Sequence, residues 1–368
     1  MWPISLFLYY LLIYIDIVLL IHHVVNGHTS PKKYQICHWY VHTVPTIIND
    51  LFTDISPDRG GTFTDIWAAI PGQPDIVSKL LSVDPQNYDD APAEGIRRVL
   101  ESVTGHSIPR KQPIPKDLIH SIRMGTTVAT NALLERKGTR HAFIVNQGFK
   151  DLLDIGYQSR PKLFELGIRK PELLYDEVVD ISERITVEAF DDDPRKSSRP
   201  AIEEVPGLFV KGTTGDMLRV IRPLDETEVR EKLAQLRQKG IDTVAVCLAH
   251  SYLYPTHEDR VAEIATEMGF QHVSTSSRVG ASMIKMISRG SSASADAYLT
   301  PEIVRYVSGF ARAFEGGSLD GVSCEFMQSD GGLVSHRNFS GLRGILSGPA
   351  GMPHSSLVCM MFLLTVTL

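Results

Sequence analysis

The period of the apolar positions changes several times along this chain. Ile66-Trp67-Ala68-Ala69-Ile70, followed by Pro71-Gly72, reads as a short strand and a turn. Ile96, Val99 and Leu100 fall on one face of a helix predicted from Ala91 to Leu100. Ile122 to Thr127 reads as a strand running into a turn. Val128 to Lys137 then reads as a helix ended by Gly138, and Ala142 to Val145 as the next strand. Strand, Gly/Thr turn, helix and strand in that order is the α/β pattern.

The second half repeats it more sharply. Asp225 and Glu228 stand in capping-box spacing ahead of the stripe Val229, Leu233 and Leu236, and Gly240 stops that helix. Thr243 to Leu248 is apolar throughout, as expected of a strand in a covered parallel sheet. Thr256 is expected to cap a second helix with Val261, Ile264, Ala265 and Met268 inward and Gly269 at its end. His272 to Ser274 begins another strand, and a long helical region comes after it, broken at Pro301 and resuming with Ile303, Val304 and Val307. Residues 190–216 change from acidic to basic to Gly/Thr-rich and read as an exposed insertion.

The N-terminal stretch has a different character. Residues 2–25 are apolar, broken chiefly by Asp16 and His22-His23, and long enough to span a bilayer. No basic segment precedes the run and no small-residue cleavage site comes after it, so an anchor is a better reading than a secretory leader. Lys32 and Lys33 would keep the bulk of the chain on the cytoplasmic side. The alternative is a segment foreign to the domain behind it. Residues 26–57 show no period and read as a linker, with Pro57 where a buried strand should lead into the next motif.

That motif is Asp58-Arg59-Gly60-Gly61-Thr62-Phe63-Thr64-Asp65. Glycines let the backbone turn tightly, and successive N–H groups in such a turn favour an anion, phosphate above all. The hydroxyls of Thr62 and Thr64 are further donors. Asp58 and Asp65 cannot meet a phosphate without a cation between, which points to Mg²⁺. The plainer reading is a surface turn built from common turn residues. Ser329-Asp330-Gly331-Gly332-Leu333 is a second acid–glycine turn, and Ser347-Gly348-Pro349-Ala350-Gly351 a third small-residue loop. Two such turns facing each other from opposite lobes could clamp a metal-bound triphosphate; the alternative is two unrelated hairpins. Gly125, Thr126, Thr127 and Asn131 put hydroxyls and an amide at a helix start, serving either as caps or as a polar floor for a small substrate. His250, His257 and Glu258 read as capping and surface groups rather than a metal site, since no third ligand stands at fixed spacing.

Composition narrows this modestly. A chain of 368 residues is long enough for two domains and part of a third. The net charge of −6 argues against a general nucleic-acid binder. Cys37, Cys247, Cys324 and Cys359 are scattered, which gives neither a zinc site nor a disulfide framework and fits a reducing compartment. No Walker motif, dinucleotide fingerprint, zincin motif or nucleophile elbow is present.

With these runs laid out, the chain resembles the ATP-dependent 5-oxoprolinases of the hydantoinase A/oxoprolinase family. The residues that carry the likeness are 58–65, 79–98, 122–138, 148–153, 297–301, 327–333 and 347–351. The resemblance implies an α/β, actin-like ATPase fold, with the first lobe and the beginning of the second. It implies opening of 5-oxo-L-proline to L-glutamate, a step of the glutathione cycle, driven by ATP. Phosphorylation of the lactam oxygen turns a stable amide into a species that water can open, so the first task is to position a phosphoryl group and neutralise its charge. Mg²⁺, a monovalent cation such as K⁺, a cytosolic location and a homodimer are implied as well.

Carried over by motif, Asp58, Gly60, Gly61, Thr62 and Thr64 form the first phosphate loop, and Asp330, Gly331 and Gly332, with Gly348, the second. Asp58 and Asp330 hold the metal directly or through water, and Asp65 orients water or metal beside Asp58. Gly125, Thr126, Thr127 and Asn131 contact substrate. The likeness covers about residues 58–351. It divides the chain into a non-family segment 1–57, an N-terminal family domain 58–250, an incomplete second domain 251–351 and a non-family tail 352–368. Members of this type are much longer and carry a hydantoinase B-like half, so the expectation is an N-terminal fragment with little activity alone. A membrane-tethered, catalytically dead binding module is the reading from another class, motivated by residues 2–25.

Overall fold

The computed structural model describes residues 53–157, 164, 167, 171–188, 208–280, 283–348 and 350. The apolar run 2–25 and the tail 352–368 lie outside the described residues. Among the described residues no helix is long and apolar enough to cross a membrane.

The first sheet is built around β1 (Thr53–Arg59). It pairs antiparallel with β2 (Phe63–Ala69), and β2 pairs antiparallel with β3 (Ile76–Leu81). On its other side β1 pairs parallel with β4 (Ile119–Thr126). Next to β4, also parallel, lies β12 (Ser323–Met327), with β13 (Leu333–Ser335) antiparallel at the far edge. The linker reading of the residues before Asp58 is therefore corrected, because Thr53 to Pro57 form the strand that the motif requires. Thr53, Ile55 and Pro57 are buried and alternate with Asp54 and Ser56, a two-residue period disguised by polar residues and proline. The hairpin bond from Gly60 N–H to Phe63 O fixes which residues face β2. By that parity the missing N–H of Pro57 faces β4, where the ladder skips Ser56 and Pro57.

One face of this sheet is covered by α1 (Ala91–Thr104). Asp90 caps that helix by accepting from Ala93 N–H at 2.9 Å, and Gly105 closes it in the left-handed region. Ile55, Ile66, Ile96, Leu100, Ile122, Met124 and Phe326 meet in the core between them. After β4 comes α2 (Val128–Leu134), shorter than expected. Arg136, at φ 55°, makes the reversal instead of Gly138. Gly138 is needed for another reason, since a Cβ there would stand 2.2 Å from the Tyr298 ring.

A second sheet is wholly parallel. Its order is β11 (His272–Thr275), β10 (Thr243–Cys247), β5 (Ala142–Asn146) and β6 (Glu177–Ile181). The short helix α3 (Leu152–Ile155) comes after β5. On one face α4 (Glu226–Gln238) and α5 (Thr256–Glu267) bury Leu233, Leu236, Val261 and Ile264 against Ile144, Val244 and Val246. The expected capping box is only half formed. Asp225 accepts from Thr227 and Glu228 N–H, but the Glu228 carboxylate instead receives Ser182 N–H at 3.1 Å. Thr256 begins α5 without a side-chain cap. A small antiparallel sheet, β7 (Arg184–Val187), β9 (Met217–Arg222) and β8 (Phe209–Lys211), takes up the end of the segment read as an exposed insertion.

After α6 (Ser276–Val279), the helix α7 (Met286–Ala311) joins the two sheets. Its Ala293 and Ala297 pack on Phe143, Ala245 and Cys247 of the second sheet, while Leu299, Ile303 and Phe310 enter the core of the first. The helix runs through Pro301 without the expected break. Neighbours pack and bond there: the Tyr298 carbonyl accepts from Thr139 N–H at 2.9 Å, and Gly341 N–H donates to the Thr300 side chain at Oγ1, also at 2.9 Å. A Cβ on Gly341 would stand 2.4 Å from the Leu299 carbonyl carbon. Because the obstacle is helix backbone, it cannot rotate away. Gly341→Ala is expected to destabilise the fold by about 1–3 kcal/mol through overpacking. Urea unfolding should show a lower midpoint at unchanged slope.

Candidate functional site

The strands β1, β4 and β12 run parallel, so their C-terminal ends share one edge of the first sheet. Asp58 lies at that edge, beside Asp65 on β2 and Gly125 on β4. A Cβ on Gly125 would fall 2.6 Å from Asp58 Oδ1, so the carboxylate rests in the space that glycine leaves. Asp58 Oδ1 is buried and has no hydrogen-bond partner. Burial, and secondarily the charge of Asp65, push the Asp58 carboxyl above its ordinary range.

The glycine turn stands next to it. With Gly60 N–H bonded to Phe63 O at 3.0 Å, Gly61 and Thr62 form a two-residue hairpin loop. Among the described residues neither of their N–H groups donates to the protein. Thr62 is exposed. Thr64 is corrected as a phosphate donor. Strand alternation turns it to the buried face, where its hydroxyl meets Ser82 Oγ at 3.0 Å, and Ser82 Oγ donates to Gly60 O at 2.8 Å. Thr64 therefore braces the turn from beneath. Asp65 is drawn away from the centre by Lys79 at 2.9 Å, on an open surface.

The residues after β4 divide similarly. Thr126 is fully buried and its hydroxyl accepts from Val128 N–H at 3.3 Å, which corrects its expected contact with substrate. Thr127 ties α2 to β1, its N–H and hydroxyl donating to Arg59 O at 3.1 and 3.3 Å. Asn131 bonds to Thr127 Oγ1 at 3.4 Å and reaches toward Gly61. Gly348 packs on Thr127, where a Cβ would be 2.7 Å from Thr127 Cγ2. Ser347 Oγ donates to Thr126 O at 2.5 Å. Ser82 and Ser347 are site supports that sequence reasoning missed, since a lone serine carries no spacing signature.

The second acid–glycine turn has a different place from the one expected. Asp330 is exposed, accepts from Gly332 N–H at 2.9 Å, and precedes Gly331 at φ 83°. The turn joins β12 to β13, so it leaves the same sheet edge as the first turn instead of facing it from another lobe. With β4 between them, β1 and β12 lie about 10 Å apart. Mg²⁺ binds its oxygens at about 2.0–2.1 Å and keeps several waters, so across that spacing one ion would meet both carboxylates directly only with the two side chains turned toward each other, and otherwise through water or phosphate. Ser329 N–H donates to Arg343 O at 2.7 Å, which pins this turn to the segment leading to Ser347.

His257 and Glu258 belong to separate networks. His257 Nδ1 lies 2.8 Å from Glu183 Oε1, whereas the fully buried Glu258 accepts from Leu248 N–H and Ser277 N–H at 2.7 and 2.8 Å. Among the described residues no group of three or more His, Cys, Asp or Glu is placed to hold a metal. Mg²⁺ needs fewer, usually one or two carboxylates completed by phosphate and water, and the unpartnered Asp58 Oδ1 beside free N–H groups suits it.

Residues 54–269 match the hydantoinase/oxoprolinase N-terminal region, and residues 289–353 match the hydantoinase/oxoprolinase domain. The chain belongs to the hydantoinase/oxoprolinase family. It is 53% identical over 295 residues to 5-oxoprolinase 1 of Arabidopsis thaliana, covering 80% of this chain and 22% of that protein. It is 49% identical over 300 residues to the 5-oxoprolinase of Saccharomyces cerevisiae, covering 81% of this chain and 23% of that one. The chain thus spans less than a quarter of the length of these family relatives. Among solved structures it is similar to the ATP-dependent caprolactamase of Pseudomonas jessenii. The TM-score is 0.60 at 23% identity, over 83% of this chain and 40% of that one. A nucleotide-free acetone carboxylase gives a TM-score of 0.58 at 21% identity, over 81% and 39%. These likenesses show the fold, a mixed α/β build in agreement with the actin-like ATPase architecture.

A carboxyl that holds its proton more tightly folded than unfolded weakens the fold once it ionises. Asp58→Asn is therefore expected to raise the thermal midpoint of the ligand-free chain at pH 7. The gain should disappear below about pH 4, where the carboxyl is protonated in both states. Calorimetry of both proteins across pH 3–8 measures it.

Proposed function

We propose that this edge binds the phosphates of ATP and that the protein of which such a segment forms a part opens 5-oxo-L-proline to L-glutamate. The observation that carries the reading is the Asp58 Oδ1 atom, buried and without a hydrogen-bond partner beside the Gly61 and Thr62 N–H groups, which donate to nothing among the described residues. Membership of the family, and identity near one half to proteins named 5-oxoprolinase, supply the reaction class.

Mg²⁺ held at Asp58 would neutralise phosphate charge. Gly61 and Thr62 offer backbone donors to phosphate oxygens, and the exposed Thr62 a hydroxyl. Thr127, Asn131 and Gly348 form the adjoining floor. Thr127 is engaged with Arg59, which leaves the Asn131 amide as the side chain best placed to meet a small polar substrate. Asp330, exposed on its own turn, is proposed as a contact through water or phosphate. Asp65, paired with Lys79, has at most an assisting part. In the reaction the lactam oxygen takes the terminal phosphoryl group as the bond to ADP breaks, and water then opens the activated ring. A potassium ion, a hydantoinase B-like half, a second copy of the chain, the glutathione cycle and a cytosolic setting remain part of the proposal through the resemblance alone.

The test is 5-oxo-L-proline-dependent ADP release, measured on the purified chain and on a full-length protein that contains it. Turnover by the full-length protein is expected, and silence there refutes the reading. Asp58→Asn should lower kcat by about 10²–10³, the size of losing one group that stabilises transition-state charge. Asp65→Asn should change it by less than about tenfold, because the Lys79 pair already holds that carboxylate outside the centre.

A further inference from the structure

Successive residues of a strand point to opposite faces, so Arg59 leaves β1 on the side away from Asp58. There it enters a cavity of 760 Å³ between the start of α1, the segment after it and the end of α7. Neither Asp58 nor the glycine turn lines this cavity. The volume lies within the usual range for small-molecule sites.

Five cationic side chains line it against three carboxylates. Two of the carboxylates are already engaged. Glu94 is held by Arg98 and Arg110, each at 3.0 Å, and Asp90 caps α1. Arg97 is used up by the carbonyls of Ile108, Pro109 and Gln112. Arg59, Lys111 and Arg312 make no side-chain hydrogen bond or ion pair among the described residues. Arg59 is instead stacked on the Tyr306 ring, 4.9 Å from its centroid, and its buried Nε has no partner. A guanidinium fixed by an aromatic face keeps its donor fork free for a planar anion. Tyr306 and Phe310 supply an apolar wall beside it.

We propose that this cavity is a second ligand site, taking a small organic anion: a carboxylate or phosphate head on a planar or apolar body. Arg59 grips the head, Lys111 and Arg312 draw it in at the rim, and the aromatic wall holds the body. The proposal does not depend on ATP binding at the opposite face.

The test tracks the Arg59 Nε–Hε resonance of the intact chain while phenyl phosphate or benzoate is added. A saturable shift is expected with at least one probe, and the tighter of the two identifies the head group. The paired substitution Lys111→Gln and Arg312→Gln, at exposed positions, should weaken that binding at least tenfold and leave the thermal midpoint unchanged. Asp58→Asn should leave it intact. No saturable shift with either probe, undiminished binding in the paired variant, or loss in Asp58→Asn would each overturn the proposal.

Discussion

Everything at the sheet edge depends on one half-buried carboxylate, Asp58, whose enclosed Oδ1 has no hydrogen-bond partner. Burying an ionised group without a partner is unfavourable, and most proteins avoid it or protonate it. Here the position is forced by three neighbours. β2 and β4 flank β1 and fix the direction of Asp58, Gly125 has no side chain to displace it, and the Ser82–Thr64 brace keeps the glycine turn against it. Such a group is stabilised in its charged form when a cation arrives, and without one it holds its proton more tightly. Asp65, one ladder position away, shows the contrast. Solvent and Lys79 already answer its charge, so it has less need of a ligand.

The parts of this arrangement that are local in sequence were legible there. Two glycines between polar residues specify a tight hairpin, and the turn is where the spacing placed it. The two-sided burial of Thr243–Cys247 was evident from an apolar run too continuous for a half-exposed strand. The face to which a hydroxyl points was harder to read. Thr62 and Thr64 look equivalent as residue types, but Thr62 lies in the exposed hairpin loop whereas Thr64 lies within β2 on its buried face, and only the pairing of β2 with β1 decides where the loop ends. The same holds for Thr126 and Thr127 on either side of the end of β4.

Pairings between distant segments were not legible at all. β12 lies beside β4 although about two hundred residues separate them, with Cys324 opposite Ile122. That pairing sets the Asp330 turn on the same edge as Asp58, and no local pattern announces it. The strand character of Thr53–Pro57 was hidden for a related reason. A proline is tolerated only because the ladder to β4 opens at its position, a fact about the partner strand. Pro301 repeats the lesson in a helix, where Thr139 arrives from elsewhere to meet the Tyr298 carbonyl and Gly341 to meet the Thr300 hydroxyl. Glu228 had the right spacing to cap its own helix, but Ser182 offered it two donors.

The alternation that separates Asp58 from Arg59 also connects them. The two residues share a peptide bond, and the Arg59 carbonyl is the anchor for the N–H and hydroxyl of Thr127. A ligand that fixes the Arg59 side chain would stiffen the strand end from which the glycine turn departs. It would also steady Thr127, on which Asn131 and Gly348 rest. No relay through distant packing is needed, since the residues are adjacent in the chain and hydrogen-bonded in space. By linkage, any help that an anion behind the strand gives to phosphate binding in front must be returned in equal measure. The natural carrier of such a coupling is conformational entropy, because a two-residue hairpin loop with free N–H groups has freedom to lose on either side of the strand.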